Sequence, residues 1–219
     1  MISYRLPNFS VRANGFAFPN SFPAGSPVVE VPTPFGRWKF GDAGAGLCGG
    51  MVFAAMDYYL HKIVELPTAP GPELSRYFCK RLLDSWNLPL GVLKYYDWQR
   101  RKKGLLRLTI RSEWPRIRSR LHAGIPVALG VVKARGFGWR QLTRNHQVLC
   151  YGYDFDEIQR DVTLAIYDPN YPGDDGASLS FKLGNADVES MIVHSCEGPT
   201  VRGIFMTAYR KPTALPPMA

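Results

Sequence analysis

The chain has 219 residues with a formal net charge of +9, and 46% of its residues are hydrophobic. This composition excludes a disordered or fibrous chain, and the length fits one domain or two small lobes. No apolar run approaches the roughly 20 residues that a membrane-spanning helix needs. The residues after Arg5 form no apolar segment typical of a Sec signal, so we expect a soluble protein that is cytoplasmic or exported without a Sec signal.

Much of the positive charge lies between residues 100 and 120. The residues concerned are Arg100, Arg101, Lys102, Lys103, Arg107, Arg111, Arg116, Arg118 and Arg120. Such a stretch is either a solvated helix face and loop or a surface that attracts an anionic partner. No nucleic-acid-binding motif accompanies it, so an acidic partner fits this stretch and nucleic acid is not expected.

The segment from residue 1 to about 35 is rich in Pro, Gly, Asn and Ser, which favours extended chain over helix. Short edge strands are predicted at residues 28–31 and 38–40. A small-residue loop at 41–46 then leads into a stretch that is apolar on nearly every side from Met51 onward. This pattern predicts a helix buried in the middle of the domain.

Two more helices are predicted, at residues 73–86 and 113–122, the second with Ser112 as its N-cap and Gly124 just past its end. Four strands follow, and we place them at residues 125–132, 146–153, 162–167 and 204–209. Helices first and antiparallel strands later predict an α+β fold. We therefore divide the chain into an extended N-terminal segment (1–35) and a single domain (36–219), with a helical lobe at about 36–123 and a β lobe at about 124–211.

The four cysteines, Cys48, Cys79, Cys150 and Cys196, stand singly, without the spacing of a metal site. We therefore predict neither a metal ion nor a cofactor. A lone cysteine is usually a small buried hydrophobic residue, and a reactive one needs a special neighbourhood.

The glycine-rich loop before the buried helix allows three interpretations. Gly44, Gly46 and Gly49 match a dinucleotide-binding spacing, but that motif needs a βαβ unit that is not predicted here. A phosphate-binding loop would need a Lys-Ser/Thr pair after the glycines. The third interpretation places Cys48 in the first turn of the helix, where backbone amides and the helix dipole stabilise a thiolate and can donate to an oxyanion. The loop alone does not separate this from a cysteine that merely packs.

A histidine and an aspartate further along the chain favour the third interpretation. His146 begins one predicted strand and Asp168 directly follows the next. If these strands pair as a hairpin, both residues lie at the same rim. A carboxylate there can hold an imidazole in the right tautomer while the other ring nitrogen faces a thiol. His61 and His194 have no such context and are expected to be structural or exposed.

Three segments occur in the order Cys, His, Asp: GLCGGM at 46–51, NHQVLCYGYD at 145–154 and IYDPN at 166–170. Together they resemble the papain-like cysteine peptidase superfamily, particularly its bacterial C39-like branch. The resemblance covers roughly residues 36–170. It implies a two-lobed fold, in which a helical lobe carries the cysteine and packs on an antiparallel β-sheet lobe that carries the histidine. It also implies acyl transfer through an acyl-cysteine intermediate.

The resemblance implies roles for particular residues. Cys48 matches the nucleophile, His146 the base and then acid, Asp168 the orienting carboxylate, and Asn170 is the alternative orienter. The family commonly has a glutamine shortly before the cysteine that completes the oxyanion hole, and here position 42 is Asp. An ionised Asp42 cannot donate a hydrogen bond. Either Trp38 or Lys39 supplies a donor, or Asp42 lies elsewhere, or peptidase activity has been lost.

The remaining site predictions concern substrate binding. Candidates for lining a substrate cleft are Gly46, Gly49, Trp139, Asn145 and Tyr171. The segment 133–140 is predicted to be a mobile loop over the site.

The sequence leads to one main hypothesis and two alternatives. The main one is a cysteine hydrolase or acyltransferase acting on a peptide, isopeptide or side-chain amide, with a protein or peptide substrate. The second is a catalytically inactive papain-like domain that binds a partner through its cleft or basic face, which Asp42 favours. The third is deamidation or amide-forming transfer by the same three residues.

Overall fold

The structure is a computed structural model that describes residues 1–22, 29–33, 36–40, 47–87, 90–136, 141, 144–185, 190–214 and 217. Its helices are α1 (Val11–Asn14), α2 (Cys48–Leu60), α3 (Pro72–Trp86), α4 (Leu90–Arg100), α5 (Leu105–Leu108) and α6 (Trp114–His122). A π-helical turn, Thr109–Glu113, joins α5 to α6. A short 3₁₀ helix covers Leu183–Asn185.

The strands are β1 (Ile2–Arg5), β2 (Val29–Thr33), β3 (Gly36–Phe40), β4 (Val127–Val132), β5 (His146–Asp156), β6 (Asp161–Tyr167), β7 (Ser178–Lys182), β8 (Ile192–His194), β9 (Gly198–Val201) and β10 (Gly203–Met206). Within the described residues, β2 and β3 form a hairpin of their own, and the other eight strands form one sheet, seven of them in the order β10-β4-β5-β6-β7-β8-β9. β1 pairs with the far half of β5, beyond the half that β4 occupies. All the pairings are antiparallel, so the α+β prediction is confirmed.

Helix α2 lies at the centre of the packing. Every residue from Gly49 to Tyr58 is buried, because the helix is apolar on all sides and contacts α3 on one flank and β5 on another. Close approach to α3 requires glycine: a Cβ on Gly50 would lie 2.1 Å from the backbone oxygen of Phe78. The first residue of this helix is Cys48.

The N-terminal segment contributes to the core. Phe16, Phe18 and Phe22 are buried, and the Phe16 ring meets Phe78 edge-on at 4.8 Å. Aromatic rings in this arrangement add to the stability gained by burial. The segment predicted as extended chain therefore contains a strand of the main sheet, the short helix α1 and part of the hydrophobic core.

A fully buried ion pair fixes α2 to α3. Arg81 Nε and Asp57 Oδ2 are 2.7 Å apart, and both side chains have 0% exposure. The hydroxyls of Tyr77 and Tyr209 each donate to Asp57 at 2.7 Å, and Arg81 also donates to the backbone oxygen of Arg210 at 2.8 Å. The network therefore joins two helices to the C-terminal segment, and its hydrogen bonds compensate both buried charges.

Two details of the sequence prediction are corrected. Ser112 is not an N-cap, because the chain is already helical from Leu105 and the π-helical turn leads directly into α6. Helices α1, α4 and α5 and strands β1, β7, β8 and β9 were not predicted. Among the described residues, no helix combines the length and apolar character that crossing a membrane requires.

Removal of the buried cation should destabilise the fold strongly. We expect Arg81→Met to lower the free energy of unfolding by about 3–5 kcal/mol, because it leaves the Asp57 carboxylate buried without its counter-charge. Urea denaturation followed by far-UV circular dichroism measures the change. Arg101→Met is the matched control, since its pair with Asp97 is exposed and should contribute at most about 1 kcal/mol. Similar losses in both variants would contradict a structural role for the buried pair.

Candidate active site

Cys48 lies where helix α2 begins. Its side chain is half-buried, and it follows Leu47, whose backbone N–H donates to Asn20 Oδ1 at 2.5 Å. The first backbone amides of a helix have no partner within the helix and lie at the positive end of its dipole. The thiol therefore lies at the helix end that favours a negative charge.

His146 begins β5, and Asp168 directly follows β6. The two strands pair antiparallel, with Leu149 opposite Tyr167, so the start of one meets the end of the other as predicted. Nε2 of His146 is 2.7 Å from Oδ1 of Asp168, and both side chains are buried. The Tyr95 hydroxyl on α4 donates to the backbone oxygen of His146 at 3.3 Å, which further fixes the start of the strand.

The histidine also contacts the cysteine. The charge of His146, a hydrogen bond from its side chain and one from the backbone N–H of Gln147 each lower the pKa of the Cys48 thiol. Because Nε2 of His146 is occupied by Asp168, the nitrogen that faces the thiol is Nδ1. The structure thus brings Cys48, His146 and Asp168 into one hydrogen-bonded series.

The electrostatics of the series favour a thiolate and an imidazolium. Burial opposes ionisation of Cys48, but the charge and hydrogen bond of His146 and the Gln147 amide lower the pKa of Cys48 below its ordinary value. Burial also opposes charge on His146, yet Cys48 and Asp168 raise the pKa of His146 to about 10. Between these two pKa values both groups are charged, which is the state in which a cysteine is nucleophilic.

Asp168 is completely buried and accepts several hydrogen bonds. Oδ1 accepts from His146 and, at 2.8 Å, from the backbone N–H of Asn170. Oδ2 is 2.9 Å from Nε2 of His194. Burial would raise the pKa of Asp168, but the hydrogen bonds from His146 and His194 hold it well below its usual range.

Sequence reasoning missed two of the residues next to this series. His194 is fully buried and bonded to Asp168, although no motif near it indicates a site. Asn20 accepts from the Leu47 amide, donates through Nδ2 to the Asn170 side chain at 3.2 Å and donates from its backbone N–H to the Pro169 oxygen. Asn20 therefore ties the start of α2 to the turn after β6.

The other predicted residues have varied surroundings. The Asn170 side chain is exposed and bonds to Asn20, so among the two proposed orienters it is Asp168 that contacts His146. Asn145 Oδ1 accepts from the amides of Lys133 and Ala134 at the end of β4, while its buried Nδ2 has no hydrogen-bond partner among the described residues.

Gly49 and Tyr171 were both predicted to line a substrate cleft, and that role stays a prediction. Gly49 is buried, and a Cβ there would lie 2.4 Å from Ser85 Oγ and 2.7 Å from Gln147 Nε2. Its lack of a side chain therefore allows α2 to pack closely against α3 and β5. The Tyr171 ring lies against His194, with the ring centroids 5.7 Å apart.

Several predicted residues lie outside the described part of the chain, namely Asp42, Gly46 and Trp139. Trp38 and Lys39 belong to β3, for which only the backbone is described. Their predicted roles stay predictions. Within the described ranges, no group of three or more His, Cys, Asp or Glu side chains is arranged to hold a metal ion.

Comparison with known proteins gives this chain no relative. It matches no family model, no curated protein and no solved structure. Any conclusion about its function therefore rests on the chemistry of the described site.

Cys48 should react with an alkylating reagent at lower pH than Cys196. Desolvation and the Asp174 carboxylate raise the pKa of Cys196, whereas His146 lowers that of Cys48, so the thiolate of Cys48 forms first as pH rises. Labelling with iodoacetamide from pH 5 to 10, followed for each cysteine by peptide mass spectrometry, gives the pH dependence of the labelling rate of Cys48 and of Cys196. Cys196 is the stringent control because it is more exposed than Cys48. Coincident curves, or a lower midpoint for Cys196, would contradict this expectation.

An added methyl group at Gly50 should disturb the packing that holds Cys48 in place. We expect Gly50→Ala to lower the free energy of unfolding by about 1–3 kcal/mol, because the new Cβ meets the Phe78 backbone and either helix must shift. Urea denaturation measures this loss. Gly184→Ala is the control, since a Cβ there meets nothing within 4 Å and should change stability by less than about 0.5 kcal/mol. Equal stability of the two variants would show that α2 and α3 are less closely packed than described.

Proposed function

We propose that the chain is a papain-like cysteine hydrolase or acyltransferase that acts on a peptide, isopeptide or side-chain amide through an acyl-Cys48 intermediate. One observation carries this proposal: a thiol at the start of a buried helix is hydrogen-bonded to an imidazole, which is bonded to a buried carboxylate. A nucleophile, its base and a group that orients the base form the constellation required for covalent acyl transfer.

The chemistry follows from the positions of the three groups. The Cys48 thiolate attacks the amide carbonyl carbon, and the oxygen becomes negatively charged. His146 Nδ1–H then donates its proton to the leaving nitrogen as the C–N bond breaks, which leaves a thioester on Cys48. Water, or another nucleophile in a transferase, attacks the thioester while His146 removes its proton. The C–S bond then breaks, which releases the acyl product and restores the Cys48 thiolate beside the His146 imidazolium.

The start of α2 offers donors for the developing oxyanion. The amides of the first turn of this helix have no partner within the helix, and they lie beside the sulfur. Loss of one oxyanion donor typically reduces the rate by about 10² to 10³-fold, so Asp42 in place of a glutamine weakens the proposed catalysis without abolishing it.

The arrangement of the elements supports the papain-like part of the proposal. The thiol-bearing helix α2 is packed among helices on one flank and contacts β5, the strand that begins with His146. The papain-like resemblance implies the same arrangement. In it, a helical part carries the cysteine, a sheet part carries the histidine, and the two groups meet where these parts are in contact.

A second candidate function is binding without catalysis. Exposed basic side chains follow one another along α5, the π-helical turn and α6, including Arg111, Arg116 and Arg120. Such a row raises the local concentration of anionic partners and speeds their association. It suits an acidic protein, either as the substrate of the proposed enzyme or as the partner of an inactive domain.

The reactivity of Cys48 separates the two candidates. In the proposed enzyme, iodoacetamide at pH 7 labels Cys48 faster than Cys79, Cys150 and Cys196, and His146→Ala slows that reaction by about tenfold or more, since one pKa unit is a tenfold change in the thiolate ratio. Peptide mass spectrometry gives the rates. A domain kept only for binding would label its buried cysteines slowly, with no effect of His146→Ala.

Acyl transfer is tested directly with p-nitrophenyl acetate. The enzyme should release a burst of nitrophenolate with one acetyl group added to Cys48, seen in the intact mass and mapped by peptide analysis. Cys48→Ala should abolish the burst, whereas Cys196→Ala, which removes the exposed thiol, should retain it. A burst of the same size in Cys48→Ala would refute the proposed intermediate.

A further inference from the structure

The carboxylate of Asp168 lies between two imidazoles, one on each oxygen. Oδ1 is 2.7 Å from Nε2 of His146, and Oδ2 is 2.9 Å from Nε2 of His194. The proposed mechanism uses Cys48, His146 and Asp168, so it explains the contact of Asp168 with His146 but not its contact with His194. His194 is the last residue of β8 and has no described hydrogen bond to Cys48.

The hydrogen bonds of His194 define its tautomer. The backbone N–H of Cys196 points at Nδ1 of His194 at 3.1 Å, so Nδ1 is an acceptor and carries no proton. The ring proton is therefore on Nε2, where it is donated to Asp168. His194 is a neutral donor with both nitrogens used.

This contact constrains the carboxylate. Asp168 and His194 both have 0% exposure, so water cannot replace a lost donor without entering the core. A donor on each oxygen fixes the plane of the carboxylate, and the Asn170 amide adds a second contact to Oδ1. A carboxylate held in this way keeps the His146 ring in the orientation that turns Nδ1 to the thiol.

We propose that His194 is a positioning residue of this site, which holds the Asp168 carboxylate in the orientation that keeps His146 on Cys48. This inference rests on the proposed function. His194 acts through Asp168 and His146 and contacts no reacting atom. The site is thus a series of four side chains, Cys48, His146, Asp168 and His194.

The other side chains near Asp168 and His194 do not share the role proposed for His194. Glu197 follows β8 and pairs with Lys133 Nζ, so those two charges balance each other. The Tyr171 ring packs against His194 without bonding to Asp168. Among the described side chains, only His146 and His194 donate to the Asp168 carboxylate.

The test compares two substitutions of His194 by the pH dependence of Cys48 labelling with iodoacetamide. His194→Phe keeps the ring volume and removes the donor. A carboxylate that is no longer held in place stabilises the His146 imidazolium less, and His146 is what lowers the pKa of Cys48. We therefore expect the acid limb of Cys48 labelling to move up by about one pH unit, which slows labelling about tenfold at a pH on that limb. His194→Gln can place an N–H where Nε2 was, so it should restore most of the labelling rate and reverse most of the shift in the acid limb. His61→Phe, at the exposed end of α2, should match the wild type.

Failure of the proposed function and failure of this inference give different results. If Cys48 in the wild type labels no faster than Cys196, the proposed function fails and this inference fails with it. If Cys48 is activated and folded His194→Phe keeps the wild-type profile, only the inference is overturned. In case His194→Phe fails to fold for lack of a buried donor, ¹⁵N NMR of the wild-type histidines gives an independent answer. A proton on Nε2 of His194 supports the inference, and a proton on Nδ1 alone, which leaves Nε2 unable to donate to Asp168, overturns it.

Discussion

The close approach of helix α2 to its neighbours is the constraint on which the site depends. Gly49 and Gly50 have no room for a side chain, since a Cβ on either would lie within 2.4 Å of an atom of α3. The buried pair of Asp57 and Arg81 fixes the same two helices about two turns further along α2. A helix held at several points cannot slide, so its first residue, Cys48, has a defined position relative to the strand that begins with His146.

A second constraint is the buried charge of Asp168. A carboxylate removed from water is costly unless its oxygens accept hydrogen bonds, and here the donors come from the start of β5, the end of β8 and the turn after β6. These three pieces of chain meet at one rim of the sheet. The requirement to satisfy Asp168 therefore also holds together the strand ends that position His146, so stability and the proposed chemistry depend on the same contacts.

The sequence predicted those parts of the molecule that have strong local patterns. The all-apolar run gave α2, the apolar strands gave β4 to β6, and the antiparallel pairing of β5 with β6 was enough to place His146 beside Asp168. His194 was missed because it belongs to a three-residue strand and meets Asp168 across 26 positions of sequence. Asn20 was missed for the same reason, since it reaches the start of α2 from a proline-rich segment that has no periodicity of its own.

The two imidazoles on Asp168 differ in charge because their outer nitrogens face different groups. Nδ1 of His146 faces a thiol that can give up its proton, whereas Nδ1 of His194 faces a backbone N–H that cannot accept one. One ring is therefore able to cycle between charged and neutral forms, and the other stays a neutral donor. With a thiolate, an imidazolium and a carboxylate, the series has one net negative charge, and it lies beside the positive end of α2. Because His194 is neutral, it does not balance this negative charge, and the helix dipole compensates it instead. Of the two rings, His146 is therefore the one that moves the proton required for acyl transfer.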